Sequence, residues 1–317
     1  MAYNRLAKLR RDRSYIRRRG GMRKYVARQR YAAKRRPYRT TKRTPRPRMS
    51  TRAVLNKTSR KKQDNMLSFS NTNGSGISQA VGAGSLFVNG STGYAMSVFC
   101  PTARSLVTGG TTNQVVDPCD RTSTTCFMRG FKENVRVQTS TPLPWLWRRI
   151  TFTSKGPTFF SAVNDAAPTN TVQPYSDTSI GMSRKWFNLQ VNNSPNTVAA
   201  YNSVIFKGRV DYDWNDVITA KVDTTRITVK SDVTRRITTG NSSGHFSERK
   251  LWYPMNTNLV YDDDESGSSV TTNYVSTDAK AGMGDYFIVD YLVPGVGGGT
   301  GDIININSTA TLYWHEK

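Results

Sequence analysis

Histidine is almost missing from this 317-residue chain, which has only His245 and His315. Cysteine is scarce too, with Cys100, Cys119 and Cys126. An odd number at these spacings is no disulfide framework and suits an intracellular chain with reduced thiols. Structural zinc takes about four N/S ligands at short spacing, whereas Cys119 and Cys126 lie seven apart. A Ser/His or Cys/His nucleophile pair would have to draw on His245, inside a Gly/Ser-rich loop. The expectation is therefore a chain that is no enzyme and holds no cofactor. Long apolar runs are lacking as well. The N-terminus has no apolar h-region of the signal-peptide kind. The most apolar stretch, YFIVDYLV at 286–293, is too short for a bilayer span and contains Asp290. Neither secretion nor a membrane partner is expected.

The sharpest shortage is of acid at the beginning of the chain. Of 46 Lys and Arg residues, 25 lie in residues 1–62, where the sole acid is Asp12. The other 21 cations are balanced by the other 21 acids, so the formal net charge of +24 belongs wholly to the first 62 residues. Self-repulsion on that scale, with few large aliphatic side chains, opposes collapse into a core. Residues 1–62 thus read as a flexible basic arm and 63–317 as the folded body. Within the arm, Arg10, Arg11, Arg13, Arg17, Arg18, Arg19, Arg23, Lys24, Arg28, Arg30, Lys34, Arg35, Arg36 and Arg39 are the candidate nucleic-acid contacts. Arginine and lysine neutralise phosphates and release counterions whatever the sequence, so such binding is sequence-blind and steeply salt-dependent. Tyr15, Tyr25, Tyr31 and Tyr38 are spread among them, either for base stacking or as spacers. The compact clusters Lys34–Arg35–Arg36 and Arg60–Lys61–Lys62 have the form of nuclear localisation signals, which implies the host nuclear import machinery as a partner.

The body is rich in Thr, Ser, Asn, Val and Tyr, which favours strands and turns. Strands are predicted at 94–100, 126–138, 145–153, 203–212, 225–238, 285–293 and 302–314, and no helix of three turns is expected. The last is the clearest: Ile304, Ile306, Ser308, Ala310, Leu312 and Trp314 alternate with Asn305, Asn307, Thr309 and Thr311. Long polar connections are expected at 71–92, 102–124, 154–182, 240–247 and 262–284. Seven or eight strands with such loops suit a β-sandwich, and a jelly roll is a common form of it in shells and lectins. The run PGVGGGTGD (294–302) lacks the Lys-Ser/Thr ending and glycine spacing of a phosphate loop, so it reads as a strand-to-strand connection. Asp262, Asp263, Asp264 and Glu265 form the one acidic cluster, a weak candidate for holding a divalent cation and otherwise a solvated turn. Arg129, Lys132, Arg148 and Arg149 alternate with apolar residues, which suits a nucleic-acid face, a polar sheet face or salt bridges equally.

Three segments carry a family likeness. RMSTRAVLNKTSRKKQDNM (48–66), WRRITFTSKG (147–156) and ERKLWYPMNTNLVYDDDE (248–265) resemble, in that order, the capsid proteins of genomoviruses, small circular single-stranded DNA viruses that include the gemycircularviruses. The loops at 71–92 and 154–182 match no part of that pattern. Geminivirus capsid proteins share the plan of basic arm and jelly roll, but this chain lacks their Cys/His pattern. The resemblance implies an all-β, eight-stranded jelly-roll subunit with long loops. It also implies a small icosahedral shell of about sixty copies, a single-stranded DNA genome held by the arm, and residence in the virion and, during assembly, the host nucleus. In that setting Gly295, Gly297, Gly298, Gly299 and Gly301 become candidates for a subunit-contact loop. The alternative class is a cellular basic-tailed nucleic-acid-binding protein of organellar ribosomal or chromatin type.

Overall fold

Alternating apolar and polar side chains build most of the regular structure in the computed structural model, which describes residues 49–317. Ser50 caps α1 (Thr51–Thr58), its hydroxyl accepting from the Ala53 N–H at 3.2 Å. There follow β1 (Arg60–Met66), β2 (Ser68–Thr72), β3 (Ser78–Ala83), β4 (Leu86–Asn89), β5 (Ala95–Phe99), β6 (Thr125–Thr139) and β7 (Trp145–Ser154). The chain continues through β8 (Arg184–Trp186), α2 (Pro195–Ile205), β9 (Thr228–Ile237), β10 (Phe246–Val260), β11 (Asp285–Pro294) and β12 (Ile303–Glu316). Short hairpins decorate the connections.

The body is all-β and mainly antiparallel. One sheet runs β1-β12-β6-β10, with β4 pairing the start of β12. The second runs β9-β7-β11-β5, and a small third sheet, β8-β2-β3, has one parallel pairing, β8 with β2. The first two sheets face each other. Between them Met128, Phe131, Leu312 and Trp314 of the first sheet pack with Phe99, Tyr286 and Ile288 of the second. Val135, Val137, Ile304 and Ile306 likewise meet Trp145, Trp147, Ile237 and Leu292. β12 buries the very set that its alternation predicted: Ile304, Ile306, Ser308, Ala310, Leu312 and Trp314.

The second sheet is covered on its other face as well. There Val98, Ile150, Phe152, Phe287 and Val289 pack with Phe159, Phe187, Val198, Tyr201, Ile205 and Phe206. Burial on both sides explains why β11 is a nearly unbroken apolar run rather than an alternating one. Among the described residues the first sheet has no such cover over its outer face, where side chains of β6 alternate between buried and exposed and those of β10 between partly buried and exposed.

Three expectations about elements fail. Residues 203–212 are not a strand, and a helix of three turns does exist: α2 starts with Pro195, a residue suited to the first helical turn, and ends at Ile205. Its buried residues Val198, Tyr201, Asn202 and Ile205 recur at helical spacing, which a reading begun at Ser203 cuts short. The segment 71–92 is not a plain loop either, since it carries β3 and β4.

One polar feature sits at the centre of the sandwich. Glu133 (β6), Arg149 (β7), Arg184 (β8) and Asp290 (β11) are each at most 1% exposed. Arg149 donates to Glu133 and, through Nε at 2.6 Å and Nη2 at 3.0 Å, to Asp290. Arg184 donates to Glu133 at 2.7 Å and to Asp290 at 3.2 Å. Two cations and two anions thus cancel inside the core. Burial alone would raise the Glu133 carboxyl, but the two guanidiniums outweigh it and hold the group down at about 2.

Candidate nucleic-acid interface

The arm candidates Arg10 through Arg39, with Lys34–Arg35–Arg36, lie outside the described residues. The other basic cluster is divided by strand geometry. β1 starts at Arg60, so neighbouring side chains point to opposite faces. Arg60 and Lys61 are exposed. Lys62 is 4% exposed and donates to the Asp120 carbonyl at 2.6 Å and to Thr122 Oγ1 at 3.0 Å, with Glu316 at 3.3 Å. Asp64 is bound to Arg104 at 2.5 Å. These contacts tie the first strand to the loop before β6.

The four alternating cations of the body also separate. Arg148 and Arg149 are buried. Arg148 holds Asp232 with two bonds of 2.9 and 2.7 Å and donates to the carbonyls of Val217, Ile218 and Ala220. Neither presents charge to a partner. Arg129 and Lys132 are exposed on the outer face of the first sheet.

That face is the most distinctive surface of the body. Strand pairing aligns Trp252 with Lys132 and Thr311, Glu248 with Arg136 and Asn307, and Phe127 with His315 and Lys61. With Arg129 and Lys250, the face holds five cations (Lys61, Arg129, Lys132, Arg136, Lys250) beside one acid, Glu248. None of the five is in an ion pair among the described residues. Three aromatics stand between them: Phe127, Tyr313 and Trp252, the last 47% exposed. The Trp252 and Tyr313 ring centres are 5.9 Å apart. Trp252 can lie down on the sheet because Gly130 is beneath it; a Cβ at Gly130 would come within 2.6 Å of the indole. Burial, then the charges of Lys61 and Arg129, hold His315 below its ordinary value, so it is neutral at pH 7. Cations for phosphates and rings for bases, on an open sheet, suit a single strand of nucleic acid. The alternation in ERKLWYP, which puts Lys250 and Trp252 on one side, was the signal for this face in the sequence.

The remaining candidates are placed as follows. The acidic cluster does not converge on a cation site. Asp263 turns inward, its two oxygens held by Arg121 at 2.6 and 3.0 Å, while Asp264 and Glu265 lie exposed in a hairpin. Among the described residues no group of three or more His, Cys, Asp or Glu side chains is placed to hold a metal ion. Cys100 and Cys126 are buried and Cys119 is exposed, all as thiols. The glycine link between β11 and β12 is partly internal: a Cβ on Gly298 would sit 2.7 Å from the Gly90 carbonyl, and one on Gly295 2.8 Å from Pro144. Gly299 and Gly301 have room for a side chain, and Val296 beside them is fully exposed. Among the described residues no helix is long and apolar enough to cross a membrane. Comparison with known proteins finds no family model that matches the chain and no curated protein that matches it.

Proposed function

We propose that this chain is the coat protein of a small icosahedral shell that packages circular single-stranded DNA, of the genomovirus kind that its sequence resembles. The observation that carries this reading is the order of strands in the two facing sheets. With β4 set aside, their eight strands in chain order are β1, β5, β6, β7, β9, β10, β11 and β12. Counted one to eight, one sheet runs 1-8-3-6 and the other 5-4-7-2. That order supports a jelly roll, two Greek keys wrapped into a sandwich. A neutral jelly roll with a +24 arm is the form expected of a subunit that packs closely with its copies while its tail neutralises a genome.

Three connections meet at one end of this sandwich. The Ser140 N–H donates to the Ile303 carbonyl at 2.9 Å, the Thr139 N–H to the His245 carbonyl at 2.9 Å, and the Gly295 N–H to the Pro144 carbonyl at 2.7 Å. Subunits of a jelly-roll shell meet at such an end around a symmetry axis, and we assign the glycine link 295–301 to the fivefold contact. The arm holds the DNA and brings the subunit to the nucleus, with Lys34–Arg35–Arg36 as the import signal; Arg60 and Lys61 remain exposed to extend it, whereas Lys62 is buried.

The test is electron microscopy of the expressed chain with its nucleic acid. Uniform spherical particles containing single-stranded DNA are expected. Deleting residues 1–48 is expected to remove most DNA binding and leave the β body folded. Monomers bound to RNA, or a truncated chain that binds single-stranded DNA as tightly as the full one at moderate salt, would overturn the reading.

A further inference from the structure

β10 is the edge strand of the first sheet and β9 the edge strand of the second, and they do not pair. A cleft of about 380 Å³ opens between them. Lys230, Ser231 and Arg235 of β9 line one side, and Lys250 to Pro254 of β10 the other, with Thr151 and Tyr286 at the floor. Three of the lining residues are cations and none is an acid. Arg249 is not in the lining itself but pairs with the buried Val135 on the inward side of β10, where its charge acts on Arg235.

Among the described residues the charges here are uncompensated: Arg235 Nη1 and Arg249 Nε are buried and have no hydrogen-bond partner there. The buried acids of the core cannot serve them. Both oxygens of Asp290 accept from Arg149, and they also take Trp147 Nε1 and Arg184. Glu133 is held by Arg149, Arg184 and Ser308. Burial first, then the like charges of Arg149 and Arg249, pull Arg235 below the ordinary guanidinium value. A desolvated guanidinium donor without an acceptor is costly, and a nearby anion removes the cost.

We propose that this cleft is a phosphate-binding site, with Arg235, Arg249, Lys230 and Lys250 as its donors. A phosphate has enough acceptor oxygens for two guanidiniums and two ammonium groups, and arginine matches its geometry. The mouth of the cleft opens at Lys250 and Trp252, which also belong to the outer face described above. A strand of DNA crossing that face would therefore reach the cleft with a backbone phosphate while a base stacks on the exposed indole. The site itself stands on the geometry, and only the source of its phosphate rests on the packaging reading.

The experiment compares the full chain with its Arg235→Gln/Arg249→Gln variant in two titrations. Inorganic phosphate, set against chloride at equal ionic strength, is expected to raise the melting temperature of the unaltered chain and not that of the variant. A thymidine oligonucleotide, photo-crosslinked and mapped by mass spectrometry, is expected to label the peptide that contains Trp252 and Tyr253. In the variant this label is lost while labels in residues 1–48 persist, and the slope of log affinity against log salt falls by about 1. A chain that responds to phosphate but is never labelled at β10 keeps the site and gives it a free phosphate. Equal melting of both proteins in phosphate and chloride, with unchanged labelling, overturns the proposal. Microscopy of the same preparations separates the two claims, because DNA-filled particles from a chain whose cleft does not respond would sink only the cleft.

Discussion

Replacing Glu133 with glutamine removes one negative charge from a site where two cations and two anions cancel. The substitution leaves Arg149 and Arg184 sharing Asp290 alone, with the new amide N–H₂ facing guanidinium donors. Glu133 is 0% exposed, so water cannot repair the loss. Breaking a buried pair from one side costs about 3–5 kcal/mol. Removing one charge of each sign, in Glu133→Leu/Arg184→Leu, leaves the two-bonded Arg149–Asp290 pair intact and should cost less than the single change. Chemical denaturation of the full chain followed by tryptophan fluorescence checks both. The signal is local, since the Arg149 guanidinium lies 4.9 Å from the Trp147 ring and that of Arg184 3.8 Å from Trp186. The pH dependence gives a second reading. The Glu133 carboxyl is held at about 2 when folded, against an ordinary 4.5, so its contribution is fully present above about pH 4.5 and is lost as pH falls toward 2. The glutamine variant must therefore lose less stability than the unaltered chain across that window. A single variant within about 1 kcal/mol of the unaltered chain, or one as acid-sensitive as it, would refute the view that these four charges hold the sheets together.

Asp285 offers the opposite case: among the described residues it is buried without a cation and its Oδ1 has no partner, and burial raises its carboxyl to about 6. Because the folded state holds that proton more firmly, stability falls as pH rises from 4 through 6, and Asp285→Asn is expected to gain up to about 3 kcal/mol at pH 7 and to flatten that fall in thermal melts; a loss of stability at pH 7 would contradict this. Tyrosine at Gly299 and Gly301, which have room for a side chain, should leave the subunit folded by circular dichroism but block particles in the microscope, and normal particles would remove the link from the subunit contact. In the proposed shell, sixty arms of +24 would carry roughly 1,400 positive charges, which suits a genome of about 1.5–2.5 thousand nucleotides, measurable by nuclease-protected DNA length. Empty shells should melt below full ones, most of all at low salt, and equal melting at every salt concentration would show that body contacts alone hold the shell.

The charge division between arm and body could be read from the sequence because it needs only a count. Six of the twelve strands, β5, β6, β7, β9, β11 and β12, could be read too, since side-chain alternation is local: β12 in the structure buries the residues that its two-residue period singled out. The failures have a common cause in what lies across from a segment. In WRRITF, the two arginines looked equivalent to Arg129 and Lys132, with a nucleic-acid face, a polar sheet face and salt bridges equally open to all four, and the sequence could not choose among them. β7 proves to be a central strand with a layer on both sides, so Arg149 points between the sheets at Glu133 and Asp290, and Arg148 points the other way at Asp232 and three carbonyls. Nothing local distinguishes those positions from β6, which among the described residues has a single covered face. The partners come from residues 16 to 141 positions away in the chain. Likewise, α2 and the turns after it exist as a cover because the second sheet's far face is apolar, a fact visible only once β5, β7 and β11 lie side by side. The outer sheet face and the cleft beside it follow the same rule. Lys250, Trp252, Arg235 and Lys132 sit on three separate strands: the register of β6 with β10 makes Lys132 and Trp252 neighbours, and only the facing of β9 across the cleft brings Arg235 to them. Periodicity told which side chains share a side of one strand; pairing and layering decided which of those sides meet water.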